Sequence, residues 1–260
     1  MNPLISPLLI LLAIATPLPL EAAPLNQKEM TALLKTIDER QRNGGDYKAL
    51  AFIEQKERGK TDLIYETVIY RRDEHDKLMI LFTKPKVEAG KGYLRLNKNL
   101  FMYDPTVGKW ERRTERERIG GTSSRRRDFD ESRLAEEYIP TYTGLKKLGK
   151  YTAHHLKLTA RPEVDVAYPL VELWIDTKTS NILKQQERAQ SNRLMRTSYY
   201  PKWNRVFSQS KGEYIFFPKE IRIFDELEKG NKTLIAFRKV DLNPLPNNIF
   251  TKAWLESKSR

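Results

Sequence analysis

Residues 77–105, KLMILFTKPKVEAGKGYLRLNKNLFMYDP, decide the fold class. Leu78, Ile80 and Phe82 alternate with Met79 and Leu81, a period of two that belongs to an extended strand. Two more extended stretches follow, Tyr93 to Leu96 and Leu100 to Tyr103, parted by Asn97-Lys98-Asn99. Asp104-Pro105-Thr106-Val107-Gly108 then leads to a fourth stretch, Lys109 to Arg113. Asn, Asp, Pro and Gly at these junctions are turn residues, so antiparallel hairpins are the economical connection.

The same period continues in both directions. Upstream lie Leu50 and Phe52, then Leu63, Tyr65 and Ile69, with turn-like Arg58-Gly59-Lys60 and Asp73-Glu74-His75-Asp76. Downstream, strands are expected at 151–160, 170–176, 182–188, 194–200, 214–217, 220–226 and 233–242. Helical spacing occurs at Met30, Leu33, Leu34 and Ile37, within a helix expected from Asn26 to Arg42. Asn26 and Glu29 form its capping box, and Gly44-Gly45 its stop. Between Arg116 and Tyr138 the pattern fails: RERIGGTSSRRRDFDESRLAEEY reads as a long loop with a short helix beginning near Asp130.

A chain of about eleven strands in sequence order must close into a barrel or curl around something that covers its concave face. The two helices are the available covers. The expected fold is therefore mainly β, a curved and incomplete antiparallel β-barrel covered by an N-terminal helix and short loop helices. One continuous meander is the simplest path. Ala49–Ile53 and Lys77–Phe82 are apolar on both faces, so each side must meet something apolar: a helix on one, a core or a ligand cavity on the other.

The first residues, MNPLISPLLILLAIATPLPLEAA, read as an export signal with cleavage after Ala22, leaving residues 23–260 as one domain. No Lys or Arg precedes the apolar core, and an uncleaved N-terminal anchor is the alternative. Either reading puts the remainder outside the cytoplasm, with the periplasm the natural place in a bacterium. Cysteine is absent, which excludes disulfides, thiolate metal sites, a cysteine nucleophile and a lipid-modified N-terminal cysteine. A formal charge of +13 attracts anionic headgroups, acidic polymers or a negatively charged partner. Export disfavours nucleic acid.

Catalytic signatures are missing. His75 sits in a charged turn, and His154-His155 are neighbours in a strand whose side chains point to opposite faces, a poor metal pair. No zinc-protease, serine-hydrolase, phosphate-loop or dinucleotide motif occurs. Asp128, Glu136 and Glu137 stand among arginines that favour their ionised forms, whereas a general acid needs the reverse. Arg125, Arg126 and Arg127 head the densest charge cluster and fit phosphate or carboxylate headgroups as well as neighbouring acids. Phe101, Tyr103, Trp110, Trp174, Tyr199, Tyr200 and Trp203 are large aromatics suited either to acyl chains or to ordinary packing.

The run from Ile80 to Pro105, followed by Lys109-Trp110, Ile119-Gly120-Gly121-Thr122-Ser123 and Asp128-Phe129, resembles the outer-membrane lipoprotein-sorting proteins, relatives of the LolA periplasmic lipoprotein carrier. Val171 to Asp176 and Phe217-Pro218-Lys219-Glu220-Ile221 extend the likeness over nearly the whole mature chain. The resemblance implies a half-open barrel around an apolar cavity that takes acyl chains of lipoproteins or lipids, with no catalysis and no cofactor. An inner-membrane exporter and an outer-membrane acceptor would be its partners, and the chain would be a monomer. Phe52, Tyr65, Ile80, Phe82, Leu96, Phe101, Tyr103 and Trp174 are the lining candidates, although strand phase leaves open which face is inward. The family's Gly-Ser-Asp-Phe loop is here spread apart by Arg125–Arg127, and the founding carrier's lid arginine matches no position. A docking module of the same fold, without cargo, is the alternative function, and an exported hydrolase using Asp128 or Glu137 is a third.

Overall fold

The computed structural model describes residues 24–41, 45–97, 99–114, 117–129 and 132–259. The export signal and its cleavage site, expected over residues 1–23, lie outside the described residues. Helix α1 (Gln27–Gln41) begins at the expected capping box: the Asn26 N–H donates to Glu29 Oε2 at 2.8 Å, and the Glu29 N–H to Asn26 Oδ1 at 3.0 Å. Its stripe of Met30, Leu34 and Ile37 is buried.

Six strands follow in hairpin order: β1 (Asp46–Lys56), β2 (Leu63–Arg72), β3 (Lys77–Lys84), β4 (Gly92–Leu96), β5 (Asn99–Asp104) and β6 (Lys109–Arg113). After a connection over residues 114–137, which ends in the one-turn helix α2 (Leu134–Glu137), seven more follow. These are β7 (Tyr138–Leu148), β8 (Tyr151–Ala160), β9 (Leu170–Asp176), β10 (Ile182–Arg188), β11 (Leu194–Ser208), β12 (Glu213–Asp225) and β13 (Lys232–Asp241). Helix α3 (Lys252–Lys258) closes the chain.

Among the described residues the thirteen strands form one antiparallel sheet in the order β6-β5-β4-β3-β2-β1-β13-β12-β11-β10-β9-β8-β7. The sheet is curved and unclosed, the expected incomplete barrel. Its path differs from a single meander. Two meanders are joined where the first strand pairs with the last, with Phe52 opposite Ala236 and Ile53 opposite Ile235, and the edges are β6 and β7. Periodicity reveals strands but not partners, so this closure is invisible in sequence.

Two differences change the strand list, one adding a strand and one merging two. Residues 138–148 form a strand where none was expected, because Pro140, Gly144, Lys146 and Lys147 obscure the alternation; an outermost strand tolerates them. The stretches expected at 214–217 and 220–226 are one strand, β12, running through Pro218. Proline is accommodated there because pairing with β13 ends at Glu220 and the register with β11 shifts beside its partner Trp203.

Three apolar clusters hold the sheet. Ala49, Ala51, Ile53, Ile69, Leu78, Ile80, Phe82, Ile223, Ile235 and Phe237 fill the concave side of one half, together with Ile119 and Phe129 from the connection. Helices α1 and α2 cover the other half through Met30, Leu34, Ile37 and Leu134, which pack on Leu156, Leu158, Val171, Leu173 and Ile175. On the convex side, Tyr70, Met79, Leu81 and Leu94 lie under Ile249, Phe250 and Leu255 of the C-terminal segment. The doubly apolar strand 77–82 is thus explained: even-numbered residues face the core, odd-numbered ones the C-terminal helix.

Candidate functional site

The connection between β6 and β7 crosses the concave face and is tied to both halves of the sheet. The Ser123 N–H donates to Gln55 Oε1 and to Thr233 Oγ1, each at 2.9 Å, at the junction of the first and last strands. The Gly120 N–H donates to the Tyr93 hydroxyl at 3.1 Å, and Arg71 Nη1 to the Phe129 carbonyl at 3.3 Å. Gly120 adopts φ +58, and a Cβ there would stand 3.0 Å from the Phe82 ring, so glycine is required by conformation and by space. Arg126 and Arg127 lie in this buried stretch, not on a solvated loop.

Between the connection, α1, α2 and strands β10 to β13 lies a cavity of about 640 Å3, within the range of small-molecule sites. Its apolar lining is Phe129, Tyr200, Trp203, Phe216, Phe217, Ile221 and Phe237, with Leu134, Val164, Val166 and Ile182. Tyr200 stacks on Trp203 at 5.8 Å, and Phe217 meets Phe237 edge-on at 5.3 Å. Charged residues line it as well, Arg71, Arg126, Arg127 and Arg133 beside Asp128, Glu137 and Glu187, and Tyr200 lies within the field of Asp128, Glu187 and Arg127. The lining is therefore mixed, where the resemblance implied an apolar one.

Ion pairing organises the charged residues. Arg127 Nη2 lies 2.8 Å from Glu137 Oε2, and its guanidinium sits over the Tyr138 ring at 5.8 Å. Burial opposes the Arg127 charge, yet Tyr138, Glu137 and Glu187 hold its pKa above the ordinary value. The same burial pushes the Tyr138 hydroxyl up to about 12 and raises Glu137 despite Arg127 beside it. Behind them Arg196 bridges Asp128 and Glu187. Asp38 of α1 accepts from Ser132 Oγ at 2.5 Å and from the Leu134 and Ala135 N–H groups at 2.9 and 2.8 Å, tying α2 to α1. Asp128 and Glu137, the acids of the hydrolase reading, are thus held by arginines.

None of the eight sequence candidates lines this cavity. Tyr65, Ile80 and Phe82 face inward but are consumed by the core, Tyr65 and Phe82 packing edge-on at 5.3 Å. Phe52 alternates with inward Ala51 and Ile53 and so points outward. Leu96 and Tyr103 belong to the convex cluster, and Phe101 lies beneath Lys252 of α3 at 4.6 Å. Trp174 stacks on His155 at 4.3 Å on the convex side, opposite in phase to buried Leu173 and Ile175. Of the arginines, Arg126 and Arg127 reach the cavity, whereas Arg125 sits over the Tyr168 ring at 5.6 Å. Tyr200 and Trp203, read only as general aromatics, are at the site. Phe129, Phe216, Phe217 and Phe237 were missed, although the density of rings in YIFFP is a signal for an apolar wall.

The fold is that of the LolA superfamily. The chain superposes on a LolA superfamily protein from Nitrosomonas europaea with a TM-score of 0.71 and 21% identity, covering 86% of this chain and 97% of that one. It is similar to an outer membrane lipoprotein-sorting protein domain from Vibrio parahaemolyticus (TM-score 0.75, 16% identity, 89% and 100% covered). A DUF1329 family protein from Desulfovibrio piger also matches (TM-score 0.76, 16% identity, 88% and 98% covered). At these identities the likeness is one of fold. A family model described as "Uncharacterized protein" matches residues 74–257, and the chain belongs to that family. No curated protein sequence matches it. No helix among the described residues is long and apolar enough to cross a membrane.

Proposed function

We propose that this protein is an exported, non-enzymatic carrier that binds one amphipathic lipid, or the acyl part of a lipoprotein, in this mixed cavity and moves it across the periplasm towards the outer membrane. The observation that carries this reading is that aromatic rings and arginines line one cavity of about 640 Å3 together. Acyl chains gain about 0.8 kcal/mol per methylene removed from water, and guanidinium groups offer forked donors to phosphate or carboxylate oxygens. Loading and release then need no fuel at the carrier, only an equilibrium between covered and open forms of the α1–α2 lid, each favoured by donor or acceptor. The likeness of fold to a lipoprotein-sorting domain supports the same reading.

Native mass spectrometry of the mature protein purified from periplasm, with lipid extraction, tests it. A stoichiometric acylated ligand is the expected result. An empty protein that also refuses added lipid would overturn the carrier and favour a docking module without cargo.

A further inference from the structure

Strands β11 and β12 outrun their neighbours. Pairing of β11 with β10 ends at Tyr199, and pairing of β12 with β13 ends at Glu220. From Lys202 to Ser208 and from Glu213 to Pro218 the two strands pair with each other, forming a ribbon. Near its tip Phe207 and Tyr214 stand side by side, ring centroids 5.3 Å apart, and are 48% and 57% exposed. Arg205 sits over the Tyr214 ring at 5.3 Å.

Where β12 leaves β13 an open groove remains. Arg205, Lys219, Arg238 and Lys239 line it with Phe207, and no carboxylate is among its lining residues. The cavity's arginines, by contrast, are paired with acids, Arg127 with Glu137 and Arg133 with Asp76. Here one sign of charge gathers beside two exposed rings.

We propose that this ribbon is a membrane-docking element: Phe207 and Tyr214 enter the headgroup–acyl boundary of an anionic bilayer while Arg205, Lys219, Arg238 and Lys239 meet its phosphates. Rings with a polar end favour that boundary, and cations beside them add attraction to anionic lipid. A protein partner fits less well, since stable interfaces bury about 1,200–2,000 Å2 in total and this patch amounts to two rings and four cations. The same ribbon carries Trp203, Phe216 and Pro218 into the cavity wall, so a docked tip brings the cavity to the lipid surface.

Vesicle flotation tests it, with phosphatidylcholine vesicles against vesicles containing phosphatidylglycerol. The mature protein is expected to float with the anionic vesicles and to be released by salt. Phe207→Ser with Tyr214→Ser, and separately Lys219→Glu with Arg238→Glu, should each lower partitioning by about tenfold or more. Lys146→Glu with Lys147→Glu, the same charge change on the exposed edge strand β7, should leave it unchanged. All sites are at the surface, and thermal melts confirm the folded state of each variant.

The proposal falls if the wild type ignores anionic vesicles, if the ring variant floats like wild type, or if the β7 variant loses as much as the groove variant. Lipid co-purification reports separately on the cavity. The ring variant should still carry lipid, and a wild type that floats while empty would remove the carrier reading and leave the docking element standing.

Discussion

Arg196 grips Asp128 through both carboxylate oxygens at 2.5 Å each and reaches Glu187 at 3.1 Å, with only 4% of the arginine exposed. A residue of β11 thereby pins the connection from β6 to β7 inside the curved sheet. Burial opposes the Arg196 charge, and the two carboxylates more than offset it.

Removing one partner of such a buried network leaves charge uncompensated. Arg196→Met strands two carboxylates and should lower stability by about 3–5 kcal/mol, the larger effect of the two single changes. Asp128→Asn keeps the shape and a partner for Glu187, and should cost less. Urea unfolding midpoints of the three proteins check the ranking.

The four tryptophans divide by face. Trp203 lines the cavity, whereas Trp110, Trp174 and Trp254 lie on the convex side. A fatty acid brominated along its chain should quench a minor part of the fluorescence, and Trp203→Phe should abolish that part while binding persists. Equal quenching in the variant would place the chain elsewhere.

Phe129 is buried between the core and the cavity, in edge-on contact with Phe237 at 6.5 Å. Phe129→Ala should destabilise by about 3–5 kcal/mol, because the vacated ring volume is only partly refilled. Calorimetry gives that loss. Stability regained on adding fatty acid should exceed that of wild type, since the enlarged cavity accepts more of the chain.

Gly92 allows α3 to seat on the sheet. A Cβ at this position would stand 2.7 Å from the Ile80 carbonyl oxygen and 2.8 Å from Leu255 Cδ1. Gly92→Ala should therefore cost about 1–3 kcal/mol and expose the C-terminal segment. Hydrogen exchange should rise over residues 249–259 before it rises in β7 to β10.

His155 Nε2 donates to Glu172 Oε2 (2.9 Å) and its Nδ1 lies 2.6 Å from Thr143 Oγ1; burial lowers its pKa despite Glu172, and burial also lowers that of His154. A lowered histidine pKa means the unfolded chain takes the proton first, so stability falls as pH drops through about 6.5 and flattens below the folded values. Glu137, raised by burial, works in the opposite sense, its contribution fading as pH rises through its folded value. Comparing melting temperatures between about pH 7.5 and 5 in wild type and in His154→Gln with His155→Gln should show a flatter slope in the variant.

The sequence by itself determined the elements whose signal is local. The capping box of α1, the alternation of β3 and the turns after Leu96 and Tyr103 are short-range preferences of adjacent residues, and the two-faced strand 77–82 announced a cover on each side. The β class and the unclosed barrel follow from many strands in series with few helices. Only the tertiary structure decided which first strand meets which last one, which phase of each strand faces inward, and where the arginine-rich connection runs. Pairing of β1 with β13, and the bonds from Ser123 to Gln55 and Thr233, bring together residues far apart in the chain. Period-two patterning cannot separate a ring that fills the core from one that lines a cavity, since both demand an apolar surface. That choice is made by the remaining volume once the connection has packed, which is why Phe82 was expected at the site and Trp203 with Phe237 form it.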